Sequence, residues 1–432
     1  MKIFFDTVGC RLNQAEIEQM ARVLRQAGHQ VVALAEEADV VIVNSCAVTA
    51  AASSDSRQKV RHAFGSGASH IILTGCWATL YPQEAAALEG VTEVVANLEK
   101  MSIPAQLLGI SDDPGEGESL ARQPLPGVHH RTRAFIKVQD GCDNHCTYCV
   151  TRIARGQARS IDQIDVLREV QEAVDGGAKE VVLTGVNLGA WGQDFANQLG
   201  LADLLHFLLE ETPIERLRLS SLEPWDISPD FFDLWQNPRL CPHLHLPLQS
   251  GSGTVLHRMV RKTSPQNFRT LVESARSHIL NLAITTDLIV GFPGETDAEF
   301  AESLAFVQEM QFSGGHVFRY SRRPGTPAAV MPGQVHGDVS SARAQQVRLV
   351  MDAQEEQFLA QMLGTQHKVL WENSQKLRNG LWVLEGYSEN YARVRSRSTS
   401  GRWNMIDTVR ITQADGKLLI GEIQNGESDD RA

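Results

Sequence analysis

The sequence predicts a multidomain α/β protein with a small open α/β domain first, a partial parallel α/β barrel next and a small β-barrel last. Three observations lead there. Short apolar runs alternate with helix-period segments in the amino-terminal part, the same alternation resumes after a Pro-, Gly- and acid-rich stretch, and the final part carries short alternating strands with Ser-, Gly- and Asn-rich turns. At 432 residues, the chain is also too long for one ordinary core.

In the first part, Lys2 to Phe5, Val31 to Leu34, Val40 to Asn44 and His70 to Thr74 read as strands, and Ala15 to Ala27 reads as a helix. An open α/β sheet holds its ligand beyond the carboxyl ends of its strands. Cys10 follows the first run, Cys46 the third and Cys76 the fourth, so the three thiols occupy equivalent loops at one edge. Three thiolates suit a 4Fe-4S cluster that keeps one iron free of protein ligands. A three-cysteine zinc site is the competing reading. This domain is assigned to residues 1–105, and the linker, which includes the acidic run Ser111 to Glu118, to residues 106–130.

The barrel is assigned to residues 131–362. Ala134 to Gln139 is its first expected strand, followed at once by Cys142, Cys146 and Cys149 in a CxxxCxxC pattern with Tyr148 before the last thiol. Such a loop wraps three thiolates around one cubane and leaves the fourth iron open to the amino and carboxylate groups of S-adenosylmethionine, with Tyr148 placed to pack near the adenine. Zinc modules more often pair their cysteines as two CxxC motifs. Further strands are expected at Glu180 to Gly185, Arg216 to Ser221, His243 to Leu248 and Ile284 to Gly291, with helices at Ile161 to Asp175 and Pro265 to Ser277. Barrel enzymes gather their polar machinery at the carboxyl ends of strands. The candidate cofactor wall is therefore Gly185, Asn187, Ser220, Ser221, Glu223, Gln249, Ser250, Asp287, Gly291 and Phe292.

The last module, residues 366–425, has expected strands at Leu381 to Glu385, Tyr391 to Val394 and Thr408 to Ile411. Small barrels present basic and aromatic side chains to nucleic acid. Tyr387, Tyr391, Arg393, Arg395 and Arg397 are the candidate RNA contacts here, and Arg155 and Arg159 are the candidates in the barrel.

The net charge of −12 argues weakly against nucleic acid. Local clusters counter it: His129 to Arg133, then Arg152 with Arg155 and Arg159, Arg319 with Arg322 and Arg323, and the carboxyl-terminal arginines. Solvated faces are the plainer reading of each cluster taken singly. The seven cysteines are few and odd in number, as expected for free, metal-binding thiols in a reducing compartment. No apolar run is long enough to span a bilayer and the start carries no export signal, so no membrane association and a cytoplasmic location are expected.

Thr7-Val8-Gly9-Cys10, the nonapeptide Gly141 to Cys149, Leu246 to Ser252 and Gly291 to Thr296 stand in the order and form of the radical methylthiotransferase family, which the chain resembles over nearly its whole length. Within that family, Cys10 to Glu16, Asn44 to Thr49, Thr184 to Gly192 and Leu219 to Pro224 resemble the branch acting on threonylcarbamoyladenosine in tRNA. Val150 to Gly156 departs from the family form.

The resemblance implies a flavodoxin-like cluster domain, a TIM-like radical SAM barrel and an OB-like TRAM domain. It further implies two 4Fe-4S clusters, S-adenosylmethionine, a tRNA substrate methylthiolated beside its anticodon, and an electron donor such as flavodoxin or ferredoxin. Beyond the cluster ligands it names no catalytic side chain. Sister branches act on a ribosomal-protein aspartate or on isopentenyladenosine in tRNA, and a metal-stabilised RNA-binding adaptor is the non-enzymatic alternative. Cys241 reads as a structural thiol. His243 and His245 share one strand face, and either pocket lining or packing fits them. Arg57, Arg155 and Arg159 suit phosphate steering or surface ion pairs alike.

Overall fold

A computed structural model describes residues 1–109, 121–123, 125, 132–197 and 199–424. The acidic run 111–118, Arg131 and its neighbouring histidines, and the end of the chain from Asn425 onward lie outside the described residues. The chain divides into two compact units. One comprises Met1–Gly177, Val181–Pro213 and Ser321–Ala329; the other comprises Ala178–Glu180, Ile214–Tyr320 and Val330–Ala432.

The first unit opens with strands β1 (Lys2–Thr7), β2 (Gln30–Val31), β3 (Val40–Ser45), β4 (Ile71–Gly75) and β5 (Val91–Val94), which form a sheet in the order β2-β1-β3-β4-β5. All pairings are parallel. Every residue of β3 and β4 is buried, as in a sheet covered by helices on both faces. Alternation still sorts the side chains: Val41, Val43, Ile71 and Leu73 join one core, and Ile3, Phe5, Val40, Ile42 and Ile72 the other. The strand order reverses between β1 and β3, which in doubly wound folds is where the crevice for a ligand opens. The flavodoxin-like expectation holds.

Sequence periodicity misjudged two strands here. The second is the two-residue edge Gln30–Val31, not Val31 to Leu34, because Leu34 leaves the sheet and is exposed. β5, Val-Thr-Glu-Val at the other edge, was too polar to stand out. The helix Ile103–Leu108 runs on into the segment assigned as linker.

Next come β6 (Arg133–Lys137), β7 (Gln139–Asp140), β8 (Arg159–Ser160) and β9 (Glu180–Thr184), with the helix Gln163–Asp175 before β9. β7 and β8 pair antiparallel, Gln139 with Ser160 and Asp140 with Arg159, and so close the loop that carries the CxxxCxxC cysteines. Gly141 has φ +68°, and a Cβ there would collide with the Gln157 carbonyl, so the turn into Cys142 admits only glycine.

The second unit holds β10 (Arg216–Leu219) and a parallel sheet of β11 (His243–His245), β12 (Ala283–Val290) and β13 (Gly314–Arg319), in that order. Helices Pro265–His278 and Asp297–Met310 connect these strands, as a parallel sheet requires. β13 is absent from the expected strands; it begins with two glycines, and Gly315 lies so close to the Thr286 carbonyl that no side chain fits.

After the long helix Gly337–Gln361, strands β14 (Gln366–Lys376), β15 (Trp382–Ser388), β16 (Arg393–Ser398), β17 (Ile406–Asp415) and β18 (Leu418–Ile423) form a closed barrel in the order β14-β15-β16-β18-β17. Trp371, Val369, Leu384, Val394 and Val409 fill it. Closure leaves no open sheet edge. Tyr391, expected to start a strand, instead turns at φ +72° ahead of β16.

Candidate functional site

Three loops of the open sheet carry the first thiol triad. Cys10 precedes the helix Arg11–Gln26, Cys46 follows β3, and Cys76 opens the short helix Cys76–Leu80 directly after β4. Cys10 is exposed and the other two are buried. The Cys46 sulfur packs against Gly9, whose φ of +100° and missing side chain let the Cys10 loop approach it. Burial pushes the Cys46 thiol up to about 11, opposed by a Val48 backbone hydrogen bond and reinforced by Cys10 and Cys76. Burial likewise raises Cys76, against the pull of Arg155 and Lys100. The three loops lie at the carboxyl edge of the one sheet.

The second triad lies on the loop that β7 and β8 close. The Cys149 amide donates to the Cys146 carbonyl at 3.1 Å, and the Cys142 amide donates to the Gly156 carbonyl at 3.2 Å. The Cys142 sulfur accepts from the Asn144 amide, and the Cys149 sulfur from the Thr151 amide, each at 3.4 Å. Burial pushes Cys149 up to about 11, while Thr151 pulls it down and Cys146 and Cys142 push it further up. Amide donors at thiolate sulfurs are characteristic of iron–sulfur sites, and iron loading must displace the thiol protons.

Among the described residues, no three His, Cys, Asp or Glu side chains close on one point as ligands of a single ion do. A cubane binds each thiolate through a different iron, so its donors stand apart. Donor set, glycine approach and amide hydrogen bonds fit such a group at both triads.

Beneath the first triad lies a buried charge network that the sequence reading missed. Glu16 is 0% exposed; it pairs with Lys100, with Arg155 at 3.0 Å and with Lys137 at 3.4 Å. Burial alone raises the Glu16 carboxyl, but Lys100, Arg155 and Lys137 together hold it well below the usual carboxylate range. Asp140 is also held low, by Arg155 and Lys137 against its burial. Glu16 closes the Cys10-to-Glu16 motif, and its place on the inner side of the first helix is the one sequence signal that points to it.

Arg155 needs correcting as an RNA contact. It is 2% exposed, donating to Glu16, to Asp140 at 2.8 Å and to Asn13 at 2.6 Å. Such a guanidinium cannot reach phosphate. Arg159 stays largely exposed, 4.0 Å from Asp140.

Of the expected cofactor wall, Asn187 in the first unit keeps a buried Oδ1 with no hydrogen-bond partner, while its amide donates to Gln139 Oε1 at 2.9 Å. In the second unit, Ser220 Oγ and Asp287 Oδ1 are likewise buried and unpartnered. Orphaned buried oxygens of this kind suit a polar ligand. Gly185 adjoins Gln139, Tyr148 is half-buried, Ser250 is buried, and Gln249 adopts φ +71°. Ser221 bridges to His245.

Others are committed elsewhere. Glu223 forms a two-pronged pair with Arg261, which lies over Trp225; the Gly291 amide donates to Glu295; and Phe292 is a fully buried core residue packed edge-on to Tyr320. Phe292 is therefore corrected from wall to core.

In the carboxyl-terminal barrel, Arg393, Arg395 and Arg397 are exposed, and the first two pair with Glu385. Tyr391 is corrected from RNA contact to packing: it stacks between Tyr387 and His243, 5.0 and 4.8 Å away, under Arg218. The packing reading of His243 is the one that holds. Cys241 is buried, as expected of a structural thiol.

Comparison with known proteins extends this picture. The Radical SAM superfamily matches residues 136–307, and the Uncharacterized protein family UPF0004 matches residues 2–97. The protein named threonylcarbamoyladenosine tRNA methylthiotransferase MtaB in Bacillus subtilis is 35% identical, covering 95% of this chain and 94% of its own. The protein of the same name in Thermotoga maritima is 39% identical, covering 94% and 93%. A tRNA-2-methylthio-N(6)-dimethylallyladenosine synthase from Moorella thermoacetica is 31% identical, covering 97% and 98%. Among solved structures, the radical S-adenosylmethionine methyltransferase TsrM from Kitasatospora setae superposes with a TM-score of 0.60 at 14% identity, over 76% of this chain and 75% of that one, a likeness of fold. The chain belongs to the radical SAM methylthiotransferase family.

Proposed function

We propose that this protein transfers a methylthio group to C2 of N6-threonylcarbamoyladenosine beside the anticodon of tRNA, giving the 2-methylthio nucleoside. The observation that carries the reading is the pairing of two thiol triads, Cys10 with Cys46 and Cys76, and Cys142 with Cys146 and Cys149, in one compact unit. The choice of nucleoside is supported by the 39% and 35% identity to two threonylcarbamoyladenosine relatives, against 31–34% to the dimethylallyladenosine synthases.

Each triad would hold a 4Fe-4S cluster. A C–H bond at C2 of adenine offers neither leaving group nor useful acidity, so acid–base catalysis is insufficient. When bound, the clusters and S-adenosylmethionine supply the radical chemistry and the transferable methylthio unit. The chain's own contribution is placement. Within the first unit, Asn187 offers an unpartnered oxygen to the polar groups of S-adenosylmethionine, and Tyr148 offers an aromatic face to its adenine. Gly9 and Gly141 permit the tight turns that present Cys10 and Cys142. Residues 1–105 serve as the cluster domain, 131–362 as the radical SAM core and 366–425 as a TRAM-type RNA-binding barrel, in which Arg393, Arg395 and Arg397 meet phosphates. The modified base leaves the anticodon-loop stack at a cost of about a few kcal/mol. A cytoplasmic location and a flavodoxin or ferredoxin donor complete the reading.

The test is to incubate anaerobically reconstituted protein with S-adenosylmethionine, reductant and tRNA carrying threonylcarbamoyladenosine, then analyse the digested nucleosides by mass spectrometry. The 2-methylthio nucleoside is expected. Unchanged threonylcarbamoyladenosine together with methylthiolated isopentenyladenosine or ribosomal-protein aspartate would move the protein to a sister branch. Failure to release 5′-deoxyadenosine would leave only the adaptor reading.

A further inference from the structure

One guanidinium touches, directly or through a single neighbour, the Cys10 and Cys46 loops of the first triad and the first loop residue of the second. Arg155 Nη2 donates to Asn13 Oδ1 at 2.6 Å, and Asn13 lies three residues into the helix that Cys10 starts. Asn13 Nδ2 in turn donates to the Val8 carbonyl at 2.9 Å and to the Ser45 carbonyl at 3.1 Å, the residue before Cys46. Arg155 Nη1 donates to Asp140 Oδ1 at 2.8 Å, and that same oxygen accepts the Gly141 amide at 2.8 Å, immediately before Cys142. The carbonyl of Ala154 accepts at 3.1 Å from Asn97 Nδ2, which also lies 3.9 Å from the Cys76 sulfur. Glu16, accepting from Arg155 and Lys100, holds the guanidinium from its remaining side.

Fixing the distance between two reacting centres is a recognised source of rate. A misplacement of about 1 Å by a remote substitution can cost about a hundredfold. The planar fork of an arginine reaches several acceptors at once, whereas an ammonium reaches them as a point charge.

We infer that Arg155 is a positioning residue that clamps the Cys142 loop to the Cys10 and Cys46 loops and so sets the spacing at which the two thiolate triads work. This deepens the proposed function and rests on it. Arg155 touches no reacting atom; it acts through Asn13, Glu16 and Asp140. Loss of the clamp leaves each triad with its own three thiols but lets the two loops drift apart. S-adenosylmethionine cleavage, which needs only the second triad, then becomes uncoupled from methylthio transfer, which needs both.

The experiment compares wild-type, Arg155→Lys and Arg155→Gln full-length proteins after anaerobic reconstitution, reading iron content, the magnetic coupling between clusters from electron paramagnetic relaxation, and modified nucleoside formed per 5′-deoxyadenosine released. Iron at the wild-type level, weakened coupling and a ratio lowered at least about tenfold in both variants are expected. Wild-type protein that makes the nucleoside establishes the reaction independently of the variants. A variant ratio and coupling equal to wild type would overturn the clamp, as would rescue of both by lysine, since that would reduce Arg155 to a buried positive charge. Should Arg155→Gln prove insoluble, Asp140→Asn is read in its place: it weakens only the arm to Cys142, and an unchanged ratio there counts against the clamp.

Discussion

Lys100 donates to the Glu16 carboxylate in a pocket that excludes water from both side chains, 1% and 0% exposed. A buried carboxylate of this kind is ionised because three cations surround it, and each cation is tolerated because of the carboxylate. Replacing Glu16 with Gln therefore strands Lys100 and Arg155. The expected cost is about 3–5 kcal/mol of stability near neutral pH, read as a lowered denaturant midpoint.

The same residue sets an acid limit. Glu16 and Asp140 both have folded-state carboxyls depressed below the unfolded range. Their contribution is present above the unfolded carboxylate range and is lost as pH falls, because the unfolded chain takes up protons first. Stability should fall progressively below about pH 5 in the wild type. The fall should be shallower in Glu16→Gln, and parallel acid limbs would show that other carboxylates govern acid unfolding.

Two glycines should separate the clusters experimentally. A methyl group at Gly9 would land on the Cys46 sulfur, and one at Gly141 on the Gln157 carbonyl; both sites also have positive φ. Gly9→Ala is expected to lose the cluster of the first triad and Gly141→Ala that of the second, each bringing iron to about half the wild-type level. Only Gly9→Ala should still release 5′-deoxyadenosine. Full iron in either variant would contradict the placement.

Glu180 is the anchor of a second buried group. Its carboxylate accepts from Arg218 at 2.6 Å and lies 2.9 Å from Arg216, and these arginines also donate to the Ser388 and Glu389 carbonyls at 2.8 and 3.0 Å. All belong to the second unit, so the pair ties the barrel strand β10 to the turn before β16. Glu180→Gln should cost about 3–5 kcal/mol. It should also raise the KM for tRNA more than it changes S-adenosylmethionine cleavage, and faster proteolysis between Gln361 and Gln366 would report the loosened module.

What the sequence disclosed follows from what periodicity and spacing encode. The placement of Cys10, Cys46 and Cys76 was legible because a thiol within a few residues after a strand of an open parallel sheet falls at the carboxyl edge of that sheet. The CxxxCxxC loop is local and reads without a fold. Arg155 was not legible: one arginine among Arg152, Arg155 and Arg159 has the same composition whether it faces water or Glu16, and the partners that decide it are far away in sequence. Tyr391 misled for the same reason, since its stacking on His243 is a long-range interaction. β13 was hidden because Gly315, one of the two glycines that open it, serves close packing against β12.

The arginines of β16 make the last prediction. Arg393 and Arg395 are exposed and share Glu385, and exposed ion pairs are worth so little that phosphates can replace the carboxylate at small cost. Arg397 lies on the same strand face, two residues further on. Replacing all three with Ala should weaken tRNA binding and flatten its salt dependence by up to about three in log–log slope, one for each phosphate left without its arginine. Glu385→Gln should act the other way and tighten binding, because two cations are released to the RNA. Anisotropy titrations between about 50 and 200 mM salt read both. An unchanged slope in the triple variant would place the RNA on another face of the barrel, while S-adenosylmethionine cleavage without tRNA should match wild type throughout.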